Sequence, residues 1–161
     1  MEYSGHNKKE YPPMHTAEHV INRTAVMLWN CGRSISAHIE RKKSRMDFLL
    51  PYEPTNEQVN QFIAEVNKIL QLDLPVSYTH TTLKEAEKYD VDLTRIPSNT
   101  PLEHVRIVHV GNYDDCLCVG AHVEHTAECG EVVLVSHNYQ EGRWRLRFKL
   151  QNASSKYDEY K

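Results

Sequence analysis

The sequence predicts a mixed α+β fold, a mainly antiparallel sheet carrying helices on one face, in a single domain. Three observations carry that expectation. A strongly striped helix is written over 56–71 behind a capping signal. The last third of the chain alternates apolar and charged residues with the period of two that strands require. The length, 161 residues, suits one sizeable core rather than two full domains.

In chain order, residues 15–30 read as a helix, because Ala17, Val20, Ile21, Met27 and Leu28 recur at helical spacing. Pro12 and Pro13 stand before it and Gly32 after it as boundaries. Residues 34–40 and 45–50 read as short strands joined by the basic turn Arg41-Lys42-Lys43-Ser44. In the 56–71 helix, Val59, Phe62, Ile63, Val66, Ile69 and Leu70 form one apolar stripe, and Thr55 with Gln58 makes a capping box. Such a stripe reads as core packing before it reads as a partner groove. Thr82 with Glu85 repeats the capping signature ahead of a shorter helix, and Pro97 and Pro101 mark the loop after it. Residues 105–110, 131–136 and 143–150 read as strands. In the last, Trp144, Leu146, Phe148 and Leu150 point one way and Arg143, Arg145, Arg147 and Lys149 the other, after a Glu141-Gly142 hairpin turn.

Composition narrows the function. Hydrophobic content of 40% and charged content of 25% are ordinary for a soluble globular protein. No apolar run approaches bilayer length, so no membrane partner is expected. Residues 1–10 are polar and lack the apolar stretch of a secretory signal, which makes the cytoplasm the simplest address. The formal net charge of −3 gives no global basic field for nucleic acid. Any RNA contact would use a local patch, such as the basic strand Arg143–Lys149 or the Arg41–Arg45 turn, each of which reads equally as a solvated surface. The four cysteines, at 31, 116, 118 and 129, are not spaced as a disulfide framework, and in a reducing compartment cysteine near histidine suggests metal ligation.

The chemistry concentrates in two pairs. His15 and His19 lie one helical turn apart, so both rings leave the same face, away from the Ala17–Ile21–Leu28 stripe. Cys118 and His122 repeat the spacing after a predicted strand, with Gly120 between them, which suits a loop. Taken alone, the histidine pair is a common pattern, and Cys118 has the lesser alternative of a packed thiol. Together, one thiolate and three imidazoles make a sensible tetrahedral zinc set. A zinc peptidase is excluded: its motif needs glutamate directly after the first histidine, where Thr16 stands, whereas Glu18 lies about 100° around the helix from His19.

His15-Thr16-Ala17-Glu18-His19-Val20, followed far downstream by Cys118-Val119-Gly120-Ala121-His122-Val123, resembles the editing domain of alanyl-tRNA synthetases. Free-standing relatives and the second additional domain of threonyl-tRNA synthetases share the pattern. Arg45-Met46-Asp47-Phe48, Val66-Asn67, Leu74-Pro75-Val76, Val105-Arg106-Ile107-Val108 and Thr126-Ala127-Glu128-Cys129-Gly130-Glu131 are similar to further landmarks in the same order. The resemblance covers residues 12 to 150, within one editing-type domain over 1–161.

The resemblance implies a zinc-dependent, stand-alone hydrolase that deacylates mischarged aminoacyl-tRNA in trans, typically seryl- or glycyl-tRNA for alanine. The metal would be held by His15, His19, Cys118 and His122, where the tRNA 3′ acceptor end enters. Thr16, Ser34 and Asp47 are candidates for positioning substrate or water, with Cys116 a further candidate for a secondary role. Each also has an ordinary structural reading: Thr16 as a surface helix residue, Ser34 in a turn, Asp47 at a strand edge, Cys116 as a packed thiol. Two departures bear on substrate choice. The family's usual Cys-Gly-Gly-Thr-His has Val119 and Ala121 in two places, and its Gln-x-Gly-Ser type stretch corresponds to Ser34-Ile35-Ser36-Ala37. Two other readings stand beside the deacylase: an RNA- or nucleotide-binding module with a structural zinc, and a hydrolase of another small acyl ester.

Overall fold

The computed structural model describes residues 11–89, 91, 93 and 104–160. Helix α1 spans Pro12–Trp29 and starts earlier than the periodicity suggested, because both prolines sit inside its first turn, where a missing N–H costs no hydrogen bond. It ends at Asn30, in the left-handed region with φ 50°, whose N–H bonds to the Val26 carbonyl; Gly32 lies beyond the boundary. Strands β1 (Ser36–His38) and β2 (Ser44–Leu49) follow, then α2 (Asn56–Gln71). The α2 capping box forms as the sequence implies: Gln58 N–H donates to Thr55 Oγ1 at 3.1 Å and Thr55 N–H to Gln58 Oε1 at 2.9 Å. Strand β3 is Val76–Thr81, and α3 (Leu83–Ala86) begins at the Thr82 cap. Strands β4 (Val105–Val110), β5 (Asp114–Leu117), β6 (Glu131–Gln140) and β7 (Arg143–Gln151) follow, with short 3-10 turns at Thr126–Cys129 and Ser155–Tyr157. Pro97 and Pro101 lie outside the described residues.

The antiparallel strands divide into two sheets, a four-stranded one in the order β1-β2-β7-β6 and a three-stranded one in the order β3-β4-β5. Two of these strands, β3 and β5, stand at the edges of the smaller sheet and carry no clear alternation of burial. The β6–β7 hairpin turns on Glu141 (φ 51°) and Gly142 (φ 84°), as the sequence suggests, and β6 runs to Gln140 with a bulge at Val135. Helices α1 and α2 pack together and against the inner face of the larger sheet. Trp144, Leu146 and Phe148 of β7 are fully buried there, as are Val59, Phe62 and Val66 of α2. Trp29 stacks on Phe62 at 4.9 Å and meets Trp144 edge-on at 5.1 Å. Met27 and Leu28, assigned to the α1 stripe from sequence, are instead exposed at 62% and 49%; Trp29 makes the core contact for that last turn.

On the outer face of the larger sheet, Asp47 occupies central strand β2, not an edge, and is fully buried beneath arginines. Arg145 grips both its oxygens at 2.9 Å, while Arg45 and Arg143 each donate to Oδ2 at 3.1 Å. Burial would raise this carboxyl, but the bond from Arg145 and the charges of Arg145, Arg45 and Arg143 hold it below the ordinary carboxylate range. Two residues of the basic strand are therefore spent on Asp47, and a third, Arg147, bonds to Ser136 and Asn138.

Two outcomes follow. Because the folded Asp47 carboxyl is depressed, its stabilisation is complete above the unfolded carboxylate range, about pH 4, and is lost as pH falls toward the folded value. Asp47→Asn is expected to flatten that acid-limb dependence in denaturant titrations at several pH values. A methyl group added at Gly130 (φ 72°) would overlap the Gln151 carbonyl oxygen and lie 2.6 Å from the Asn152 carbonyl carbon. Both obstacles are backbone, so Gly130→Ala is expected to cost about 3 kcal/mol or more in the same titration.

Candidate metal centre

The first half of α1 is buried on every side. Met14, Ala17, Val20 and Ile21 face the core, while His15, Thr16, Glu18, His19 and Asn22 are buried too. The polar face cannot be solvated, so it needs protein partners. Strand β5 and the loop after it supply them. That loop is held by Cys118 N–H donating to the Arg106 carbonyl at 3.1 Å and by Arg106, which donates Nε–H to the Cys118 carbonyl at 2.7 Å and a second N–H to the Gly120 carbonyl. Val123 plugs into the core beside Thr16, and its N–H donates to Thr16 Oγ1 at 3.1 Å.

This packing brings His15, His19, Cys118 and His122 together, with one ligand atom from each lying within 4.8 Å of all the others. The Cys118 sulfur is 3.3 Å from His15 Nε2 and 3.7 Å from His122 Nε2. Tetrahedral zinc bonds of about 2.0–2.3 Å place ligand atoms roughly 3.3–3.8 Å apart, so these separations suit one ion. The rings of His15 and His122 stack at 4.3 Å, and His19 meets His122 edge-on at 4.6 Å.

The remaining ring nitrogens are held from behind, which fixes which nitrogen faces the centre. His15 Nδ1 donates to the Ala121 carbonyl at 3.1 Å, and His122 Nδ1 bonds to Thr16 Oγ1 at 3.0 Å. His19 Nδ1 faces Asp114 Oδ2 at 3.5 Å. Asp114 is itself clamped by Arg23 at 3.0 Å and by Arg33 at 2.8 and 3.2 Å. Burial would raise the Asp114 carboxyl, but Arg33 and His19 outweigh it and hold the group far below the ordinary range.

The protonation states of His122 and Cys118 suit a cation. Burial, reinforced by neighbouring His19 and His15, pushes His122 down to about 3, which leaves it a neutral ligand at pH 7. Burial would raise the Cys118 thiol, but His15 and hydrogen bonds from His122, His15 and His19 carry it well below its usual value, toward thiolate. Burial would lower His19, but the neighbouring Asp114 carboxylate and Cys118 turn that shift upward. A thiol turned toward thiolate and three imidazoles converging away from water make a donor set that could hold a metal ion.

The other expected site residues are not among these four convergent groups. Thr16 sits behind His122 and is fully buried, not on the surface. The Ser34 hydroxyl donates to the Ser36 carbonyl at 2.8 Å, and its N–H donates to Asn22 Oδ1 at 2.7 Å. Asp47 belongs to the arginine cluster on the outer sheet face. Cys116 is a packed thiol that burial pushes up to about 12. Glu18, a turn's fraction away from His19, brings Oε1 within 3.8 Å of His15 Nε2. Asp114, Arg23, Arg33 and Arg106 were not anticipated; no local pattern marks them, because each acts across elements.

Fold and geometry thus define an α+β protein with a buried His/His/Cys/His centre between a helix and a strand-following loop. The profile of the threonyl and alanyl tRNA synthetase second additional domain matches residues 105–157, which hold Cys118 and His122. The chain is 33% identical over 145 residues to an alanine–tRNA ligase of Halorubrum lacusprofundi, a match covering 87% of this chain and 15% of the ligase. It is 30% identical over 144 residues to that of Methanococcus maripaludis (83% of this chain, 15% of the ligase). With the Methanopyrus kandleri ligase it shares 27% identity over 160 residues, 95% of this chain and 17% of the ligase. The chain is an alanyl-tRNA synthetase editing-domain-like protein, and it spans about a sixth of the length of those relatives. Among the described residues, no helix is long and apolar enough to cross a membrane.

Titration of metal-free protein with a divalent transition metal is expected to saturate at one equivalent. Cys118→Ala should abolish tight binding, and Thr16→Val should weaken it about 10- to 100-fold by releasing His122. Unaltered affinity in Thr16→Val, measured by competition with a chelator, would contradict this orienting role.

Proposed function

We propose that the protein is a zinc-dependent hydrolase that deacylates mischarged aminoacyl-tRNA in trans in the cytoplasm, with seryl- and glycyl-tRNA for alanine as its first candidate substrates. The observation that carries this reading is the convergence of His15, His19, Cys118 and His122 in a chain similar to part of the alanine–tRNA ligases. Bound zinc would serve as a Lewis acid, polarising the ester carbonyl, orienting the ester or lowering the pKa of water. The chain's own groups supply the rest. Asp114 holds the His19 ring, the Ala121 carbonyl holds His15, and Thr16 holds His122. Ser34 and Asp47 enter as positioning residues: Ser34 braces Asn22 one turn beyond His19, and the Asp47 carbonyl accepts the Ile35 N–H at 2.8 Å.

Val119, 67% exposed, and Ala121 form the outer edge of the Cys118–His122 loop. They stand where the family usually has glycine and threonine, so they set the wall that meets the amino acid. A missing hydroxyl there removes a hydrogen-bonding group that can tell serine from alanine. This altered edge favours one second reading, an RNA- or nucleotide-binding module whose zinc only supports the fold.

Zinc-loaded protein incubated with seryl-, glycyl- and alanyl-tRNA is expected to release serine or glycine faster than alanine, and chelation should stop the release. No zinc-dependent release from any mischarged species would sink the hydrolase reading. In that event tRNA binding without turnover, with unfolding on chelation, would mark the binding module. Ala121→Thr is expected to sharpen the preference for the seryl over the alanyl ester, read as the ratio of their kcat/KM values.

A further inference from the structure

Tyr78, in the middle of β3, is 41% exposed, yet its ring is not free to wander. Arg106 on the neighbouring strand lies with its guanidinium carbon 4.7 Å over the ring centroid. Arg106 is in turn bonded to the carbonyls of Cys118 and Gly120, so the stacked pair is tied to the loop that carries two of the site's ligands. The Tyr78 ring centroid lies 6.3 Å from that of His122, at the rim of the buried cluster. An aromatic side chain of this kind could be an ordinary surface tyrosine on a strand. Its bracing by a guanidinium that is itself fixed, and its place beside His122, point to a ligand instead.

From this arrangement we propose that Tyr78, backed by Arg106, is a stacking platform for the 3′-terminal adenine of the tRNA whose ester lies at the His15–His19–Cys118–His122 cluster. The inference rests on the deacylase reading of that cluster. In a 3′-esterified adenosine, one ribose separates the base from the ester, a spacing that matches a ring neighbouring His122 rather than one remote from it. A planar base needs only a planar partner, and aromatic stacking serves unpaired bases at the ends of RNA. Guanidinium on one side of the ring and base on the other would form a three-layer stack. Tyr78 would thus bind substrate and set where the ester falls, while the cluster acts on it.

The test uses zinc-loaded protein with Tyr78 intact, Tyr78→Leu and Tyr78→Trp, and two probes: uncharged tRNA with and without its 3′-terminal adenosine. The intact protein is expected to bind the complete tRNA about 5- to 150-fold more tightly than the trimmed one, the range expected for one stacked base. Tyr78→Leu should lose that difference and raise KM for mischarged tRNA by a similar factor, with kcat less affected, while Tyr78→Trp keeps both. Equal zinc content in all three proteins shows that the site has folded. If intact protein shows no preference for complete tRNA, or Tyr78→Leu retains the full preference, the platform is overturned. Hydrolysis of mischarged tRNA without any Tyr78 effect overturns the platform alone. A Tyr78-dependent preference without hydrolysis of any ester supports the platform and defeats the deacylase reading instead.

Discussion

The structure depends on one constraint: the first half of α1 is buried on all sides although one of its faces is polar. A helix so enclosed needs a hydrogen-bonding or ionic partner for every polar side chain, because a buried unpartnered group costs about 1–3 kcal/mol, and more if charged. Strand β5 and the Cys118–Val123 loop exist in the positions they do because they meet that need. Thr16 joins His122 and the Val123 amide, His15 reaches the Ala121 carbonyl, and Asn22 accepts the Ser34 amide. The loop is thereby attached to the helix through the same residues that converge on the candidate metal centre. Structural support and ligand orientation are one network.

Two buried carboxylates show how electrostatics serves different ends within this fold. Asp114 and Asp47 are both held below the ordinary carboxylate range, and both are surrounded by arginine. Asp114 faces inward, and one of its oxygens turns toward His19, so its arginines fix an anion behind that candidate ligand. Asp47 faces the outer side of the larger sheet and gathers Arg45, Arg143 and Arg145, side chains that strand alternation alone would have left separately solvated. The centre is thus organised by charge on one side of α1, while the basic sheet face is partly neutralised from within.

Much was legible in the sequence because it depends on short-range periodicity. The α2 capping box and stripe, the Thr82 cap, the Glu141-Gly142 hairpin and the buried side of β7 are each written in consecutive residues. The pairs His15/His19 and Cys118/His122 were legible for the same reason, each as a turn or loop of fixed spacing. The resemblance to alanyl-tRNA synthetase editing domains joined the two pairs through the order of landmarks between them. Less was legible where a residue's surroundings come from distant segments. Met27 and Leu28 continue a helical stripe but lie exposed, and the edge strands β3 and β5 show no clear alternation of burial.

The sequence by itself determined the α+β class, the residues capable of holding a metal and the similarity to tRNA editing, because these follow from local pattern and ligand chemistry. Only the tertiary structure decided what stands behind each ligand. Thr16 became the support of His122, Asp114 the partner of His19, and Asp47 the hub of an arginine cluster that includes Arg145, each of these pairs about a hundred residues apart. Hydrogen bonds and ion pairs over such separations depend on which faces the packed core brings together, and no spacing along the chain encodes that.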